Sequence, residues 1–255
     1  MLLSASVGPL LWPQTGHAAE VPVVAAASDL QDAIAEVAEL FSRATGRSVK
    51  LAMGSSGNLT RQIIQGAPFE VLFSADEDYV GELAGRSLTL DRGALYAVGR
   101  LALFVPKASP VRPDSELNDL AAAVADGRLR RLAIANPEHA PYGRAARAVL
   151  VRKGLWETLQ PRLVLGENIS QAAQFAISGT VQAGLIAYSL AISDRMARRG
   201  SYALVPQEWY PPLRQRMVLL TGAGETARRF YAFVQSAPAR AALERYGFAL
   251  PPPGN

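Results

Sequence analysis

The chain has 255 residues, 49% of them hydrophobic and 19% charged, which excludes a disordered polymer and gives ample length for one large domain or two small ones. The absence of cysteine excludes disulfide frameworks, thiol catalysis, Cys-based zinc sites and iron–sulfur ligation. The formal net charge of +4 is mild, and its pairs Arg130-Arg131, Arg198-Arg199 and Arg228-Arg229 are isolated and lack interleaved aromatics, so they read as solvated faces and no nucleic-acid track is expected.

Met1 to Leu11 is apolar, and small residues at Gly16 and Ala18 suit a signal-peptidase cut after Ala18 or Ala19. A leader over 1–19 is expected, although no Lys or Arg precedes the apolar run. Removing it leaves His139 as the one histidine of the mature chain and excludes a histidine-cluster metal site. After this segment no stretch is long enough to cross a bilayer.

Val21 to Ala27 is a continuous apolar run, the pattern of a strand buried on both faces. Ser28 follows at a helix N-cap position, and Leu30, Ile34, Val37 and Phe41 continue at helical spacing to a stop at Gly46. The unit recurs: strand Val49 to Met53, turn 54–58, helix Leu59 to Gln65, strand Val71 to Ser74, helix Glu77 to Ala84. Leu95 to Val105 reads as one long strand. A helix over about 117–125, a strand at Arg131 to Ala135 and a helix from Arg144 to Lys153 come next. Leu163 to Leu165 is a strand, Gln171 to Ile177 a helix, and Ala183 to Ala187 another strand. Arg216 to Leu220 is the last strand, two helices close the chain, and 251–255 is a proline-rich tail. Such alternation implies an α/β fold with mostly parallel sheets flanked by helices.

In such sheets ligands bind beyond the carboxyl ends of the strands. The turns there are small and hydroxylic: Ala27-Ser28-Asp29, Gly54-Ser55-Ser56-Gly57, Ala140-Pro141-Tyr142-Gly143 and Glu167-Asn168-Ile169-Ser170. Each leads into a helix whose first N–H groups are unpaired and carry partial positive charge. Taken singly, each is an ordinary helix start. Together they make an anion site of neutral donors if the fold brings them to one point. Gly222-Ala223-Gly224 lacks the rest of a dinucleotide fingerprint, and Asp76-Glu77-Asp78 reads as an acidic first helical turn, not a metal site. The turn at 54–58 is one residue short of a nucleophile elbow, and His139 stands in the wrong order for a serine hydrolase of that fold.

Across about 21–250 the chain resembles the molybdate-binding proteins of ABC-type uptake systems. The resemblance rests on Ala25-Ala26-Ala27-Ser28, Gly54-Ser55-Ser56-Gly57, Gly66-Ala67-Pro68-Phe69, Phe73-Ser74-Ala75-Asp76, Asn136-Pro137 with Ala140-Pro141-Tyr142-Gly143, and Tyr246-Gly247-Phe248. It implies a two-lobed periplasmic binding fold of type II with the ligand in the interlobe cleft. Lobe 1 would take 20–102 and 211–250, and lobe 2 would take 103–210. The implied oxyanion contacts are Ser28, the Asp29 amide, Ser56, Tyr142 and the Ile169 amide. Ser55, Gly57, Asn168 and Tyr188 are secondary, Tyr188 being equally a cleft-wall ring. The ligand would be molybdate or tungstate, held without a cofactor or free metal cation by a monomer that delivers it to a membrane permease.

Asp29 departs from the family, whose members carry an uncharged residue there. Its carboxylate either turns away to support its own helix start or accepts a proton from the ligand, which would favour hydrogen phosphate. Other readings are a phosphate- or sulfate-type receptor, a small-anion transferase and the sensing domain of a regulator. The last lacks room for a helix-turn-helix within 1–20. Ser56→Ala is expected to weaken binding while leaving folding nearly unchanged, and Ser55, its side chain turned away, to matter less.

Overall fold

A computed structural model describes residues 21–252; the expected leader and residues 253–255 lie outside the described residues. Among the described residues no helix is long and apolar enough to cross a membrane.

The first half of the chain opens with β1 (Val23–Ala27), a 3-10 turn over Ser28–Leu30 and α1 (Gln31–Thr45). It continues through β2 (Lys50–Gly54), α2 (Ser56–Ile64), β3 (Phe69–Ser74), α3 (Glu77–Gly85) and β4 (Ala94–Gly99). Next come β5 (Leu101–Pro106), α4 (Asn118–Ala125), β6 (Leu132–Ala135), α5 (Pro141–Arg152) and the short α6 (Trp156–Leu159). After them follow β7 (Leu163–Gly166), α7 (Ile169–Ile177), β8 (Ala183–Ala187), the single-turn α8 (Tyr188–Ala191) and α9 (Asp194–Ala197), and β9 (Gly200–Leu204). The chain ends with β10 (Leu213–Leu219), α10 (Glu225–Val234) and α11 (Ala237–Arg245).

Ten strands form two five-stranded sheets, ordered β2-β1-β3-β10-β4 and β7-β6-β8-β5-β9. The fold is the expected two-lobed α/β one, but each sheet is mixed. β1 runs parallel to β2 and β3, and β6 parallel to β7 and β8; β10 and β5 run antiparallel to both of their neighbours. These two reversed strands directly follow a passage of the chain from one lobe to the other. They arrive without the crossover helix that makes neighbouring strands parallel.

The expected long strand over 95–105 is two strands in different sheets. Gly99 pairs with Leu213 in the first sheet and Leu101 with Ala187 in the second, so the whole of β5 belongs with the second sheet. Arg100 is the pivot between them. Its guanidinium donates to the Gly247 carbonyl at 2.9 and 3.2 Å and lies 4.4 Å from the Tyr188 ring centre, while its own carbonyl accepts the Tyr188 amide at 2.8 Å. The return passage runs through 205–212.

Alternation along the strands explains why helices cover both faces of the first sheet. Val24, Ala26, Val71, Phe73 and Met217 face α1, α10 and α11. The intervening Ala25, Leu72 and Val218 face α2 and α3 through Leu59, Ile63, Val80 and Leu83. An aromatic chain stiffens the first of these cores: Phe41–Phe230, Phe230–Phe73 and Phe73–Tyr96 meet edge-on at centroid distances of 5.3, 6.0 and 5.3 Å. The second sheet packs a separate core around Leu103, Ile134, Leu150, Leu159 and Leu185.

Helix starts fall earlier than the apolar spacing suggests. Ser55 and Asn168 are the true N-caps, accepting the Asn58 and Gln171 amides at 3.3 and 2.9 Å, so Ser56 and Ile169 are the first residues of α2 and α7. At that position a backbone N–H has no intrahelical partner.

Candidate functional site

The four turns singled out in the sequence converge. A small cavity between the lobes, about 190 Å³ of empty space, is lined by Ala27, Ser28 and Asp29 after β1, by Gly54, Ser55 and Ser56 after β2, and by Ala75 after β3. The other lobe closes it with Ala140, Pro141 and Tyr142 after β6 and with Ile169 after β7. Ser28, Asp29, Ser56, Tyr142 and Ile169 are therefore all brought together, each at most 4% exposed.

The donors are neutral. Ser56 Oγ accepts the Ala75 amide at 2.9 Å and Ser28 Oγ accepts the Ser170 amide at 3.3 Å. Each hydroxyl thus has a lone pair engaged and keeps its proton to donate. The first-turn amides of α2 and α7 add unpaired N–H groups and the positive ends of two helix dipoles. No Lys or Arg lines the cavity.

The Asp29 carboxyl stands near its own and the Leu30 backbone amides at the helix start, but its close partners lie elsewhere. Oδ2 accepts from Tyr142 Oη at 3.0 Å across the cleft and from Gln215 Nε2 at 2.6 Å. Gln215 Oε1 in turn accepts from Tyr96 Oη at 2.7 Å, and Oδ1 of Asp29 is buried without a partner. Burial pushes the Asp29 carboxyl up to about 6, against the pull of the Gln215 and Tyr142 hydrogen bonds. Burial, then the neighbouring Asp29 charge, drives the Tyr142 and Tyr96 hydroxyls well above their ordinary value.

The secondary residues separate. Ser55 lines the cavity, but its hydroxyl caps α2 and lies 2.9 Å from His139 Nδ1 of the other lobe. Gly57 bridges the lobes: its amide donates to the His139 carbonyl at 3.0 Å, an approach so close that a Cβ here would sit 2.7 Å from that oxygen. Asn168 caps α7. Tyr188 is placed away from the cavity, beneath Arg100 and 5.5 Å from the Tyr202 ring centre. Asp76 caps α3 and pairs with Arg144, while Glu77 pairs with Arg214 and Arg216. Among the described residues no cluster of His, Asp and Glu could hold a metal ion.

Three contributors were not singled out from the sequence. Ala75 contributes backbone alone and has no side-chain signal. Tyr96 reads as an ordinary aromatic in a strand. Gln215 did carry a signal: Leu213, Gln215, Met217 and Leu219 share one face of β10, and a fully buried amide in that register demands a partner.

The family model for bacterial extracellular solute-binding proteins matches residues 22–249. The chain belongs to that family. The molybdate-binding protein ModA of Rhodobacter capsulatus is 38% identical over 89% of this chain and 87% of its own length. ModA of Azotobacter vinelandii is 34% identical over 97% of each chain. The solved structure of the Azotobacter vinelandii periplasmic molybdate-binding protein superposes with a TM-score of 0.82, covering 90% of this solute-binding chain and 99% of that one, at 31% identity. The sulfate-binding protein SubI of Mycobacterium tuberculosis, at 14% identity and a TM-score of 0.76, shares the fold.

Proposed function

We propose that this solute-binding protein captures molybdate and tungstate in the periplasm and delivers them to an ABC-type importer. The observation that carries the reading is the convergence of two serine hydroxyls and two helix-start amides on a single cavity with no cationic side chain, which Tyr142 lines with its own proton given to Asp29. Such a site desolvates a small dianion and holds its oxygens by neutral, directional donors; no protein atom ligates the metal. The cavity is small and closed in by both lobes, which favours a compact inorganic anion over a sugar or peptide. The ligands named for the relatives point the same way.

Binding without turnover fits the side chains present. The nearest approach to a nucleophile and base is Ser55 beside His139, whose Nε2 lies 3.4 Å from Glu167. Burial lowers the His139 ring below its ordinary value, and Ser55, which accepts the Asn58 amide at the start of α2, keeps a proton facing that ring, so the turnover assay below is the check on this pair.

Calorimetry of the mature protein against molybdate, tungstate, sulfate and phosphate tests the proposal. One-to-one binding of the first two, with the others far weaker, is expected. Preference for sulfate or phosphate, or turnover of phosphate esters, would overturn it.

A further inference from the structure

We infer that Asp29 enters the complex as the neutral acid, donating Oδ1–H to a ligand oxygen, so that capture of a dianion takes up one proton from solvent. The inference rests on the oxyanion reading above and adds to it a donor residue and a proton.

The two carboxyl oxygens have different surroundings. Oδ2 is satisfied by Tyr142 from α5 and Gln215 from β10, and Gln215 is itself fixed by Tyr96 from β4. Oδ1 is buried and has no partner, although Asp29 lines a cavity whose other polar side chains are hydroxyls. A buried polar atom without a partner is costly unless a ligand or a proton completes it. With a dianion alongside, an ionised Oδ1 would be repelled by the ligand's oxygens. Protonated, it becomes one more donor in the set, and the orphan is resolved.

Nothing cationic offsets the charge. The polar groups facing Asp29 are the Tyr142 and Tyr96 hydroxyls, the Gln215 side-chain amide, the backbone amides of Asp29 and Leu30 and, on its backbone carbonyl, Ser189 of α8 at 2.8 Å. Tyr210 stands behind Tyr142, and His139 stands on the far side of the cavity wall at Ser55. No Lys or Arg among the described residues forms a hydrogen bond or ion pair with Asp29. Burial has already brought the carboxyl up to about 6, and a ligand dianion moves it further in the same direction.

The test is calorimetry of molybdate binding to the full mature chain at pH 6–8, each point in two buffers of different ionisation enthalpy, which counts protons taken up. The parent is expected to take up about one proton per anion once the free carboxyl is ionised, and its affinity to fall up to about tenfold per pH unit above that point. Asp29→Asn, whose amide donates without a proton, should take up none and show a flat profile. His139→Gln should keep the parent's proton. Infrared difference spectra of the parent on binding should show a new carboxylic-acid C=O band, which decides the matter even if Asp29→Asn does not fold. Tight molybdate binding with no proton and no band overturns the inference and leaves the oxyanion reading intact. A proton that persists in Asp29→Asn or vanishes in His139→Gln also overturns it. Preferential binding of phosphate without proton uptake means that Asp29 is the acceptor of the ligand's proton, which overturns it too. If none of the four anions binds, both readings fall.

Discussion

Ser28 and Ser56 are hydroxyls of the same lobe, on neighbouring turns, facing one cavity, yet they are held differently. Ser56 is braced from its own lobe, by the Ala75 amide; Ser28 is braced from the opposite lobe, by the Ser170 amide. Tyr142 follows Ser28, since its hydroxyl is held by Asp29 across the cleft. The difference separates donors set within one lobe from donors completed by closure. It also corrects an expectation drawn from the sequence. Ser56→Ala was expected to leave folding nearly unchanged, but Ser56 is fully buried and satisfies a buried amide.

The largest effect should come from the cross-lobe side. Asp29 ionises at about 6 in the folded chain against an ordinary 3.8, so the folded state holds its proton more tightly. Its contribution to stability is fully present below about pH 4 and is lost as pH rises through 6. Asp29→Asn removes that loss. It should gain on the parent between pH 4 and 7.5 by up to about 3 kcal/mol, read as the difference between denaturant midpoints at the two pH values. An unchanged difference would mean the carboxyl is solvated, with the lobes apart, in the unliganded protein.

Ser56→Ala and Ser28→Ala sharpen the comparison directly. Each should weaken molybdate binding by about 1.5–3 kcal/mol, the worth of a hydrogen bond to a charged group. Ser56→Ala should also lower the stability of the unliganded chain by about 1–3 kcal/mol, because it orphans the Ala75 amide. Ser28→Ala should not. Equal stability losses in the two variants would erase the distinction.

Ser55→Ala removes an N-cap and a cross-lobe bond without touching the donor set. About 1 kcal/mol of stability should go, with a smaller change in affinity than for Ser56→Ala. Tyr188→Phe should be the mildest, within about 0.5 kcal/mol in affinity, because its ring packs under Arg100 outside the cavity. A large loss of binding there would move the site.

The strand–helix alternation and the hydroxylic turns were legible because both are local: periodicity and capping chemistry are written in consecutive residues. What could not be read was set by distant partners. The split of 95–105 at Arg100 depends on Gly247 and Tyr188, far along the chain, and on which sheet each half joins. Asp29 offered two orientations from the sequence. The observed arrangement is neither: Oδ2 accepts from Tyr142 and from Gln215, which lies 186 positions away. Ile169 and Ser56 were singled out as candidates while their helices were placed from Gln171 and Leu59, two and three residues too late, because Asn168 and Ser55 cap ahead of the apolar spacing.

The bond from the Gly57 amide to the His139 carbonyl runs from backbone to backbone across the cleft. No side-chain replacement made in the donor set removes either of its atoms. When the lobes part, that N–H meets water; when they close, it is sealed against a carbonyl. Its exchange with solvent deuterium reads the fraction of time the protein spends shut, ligand or no ligand, as a clock already installed at the edge of the cavity.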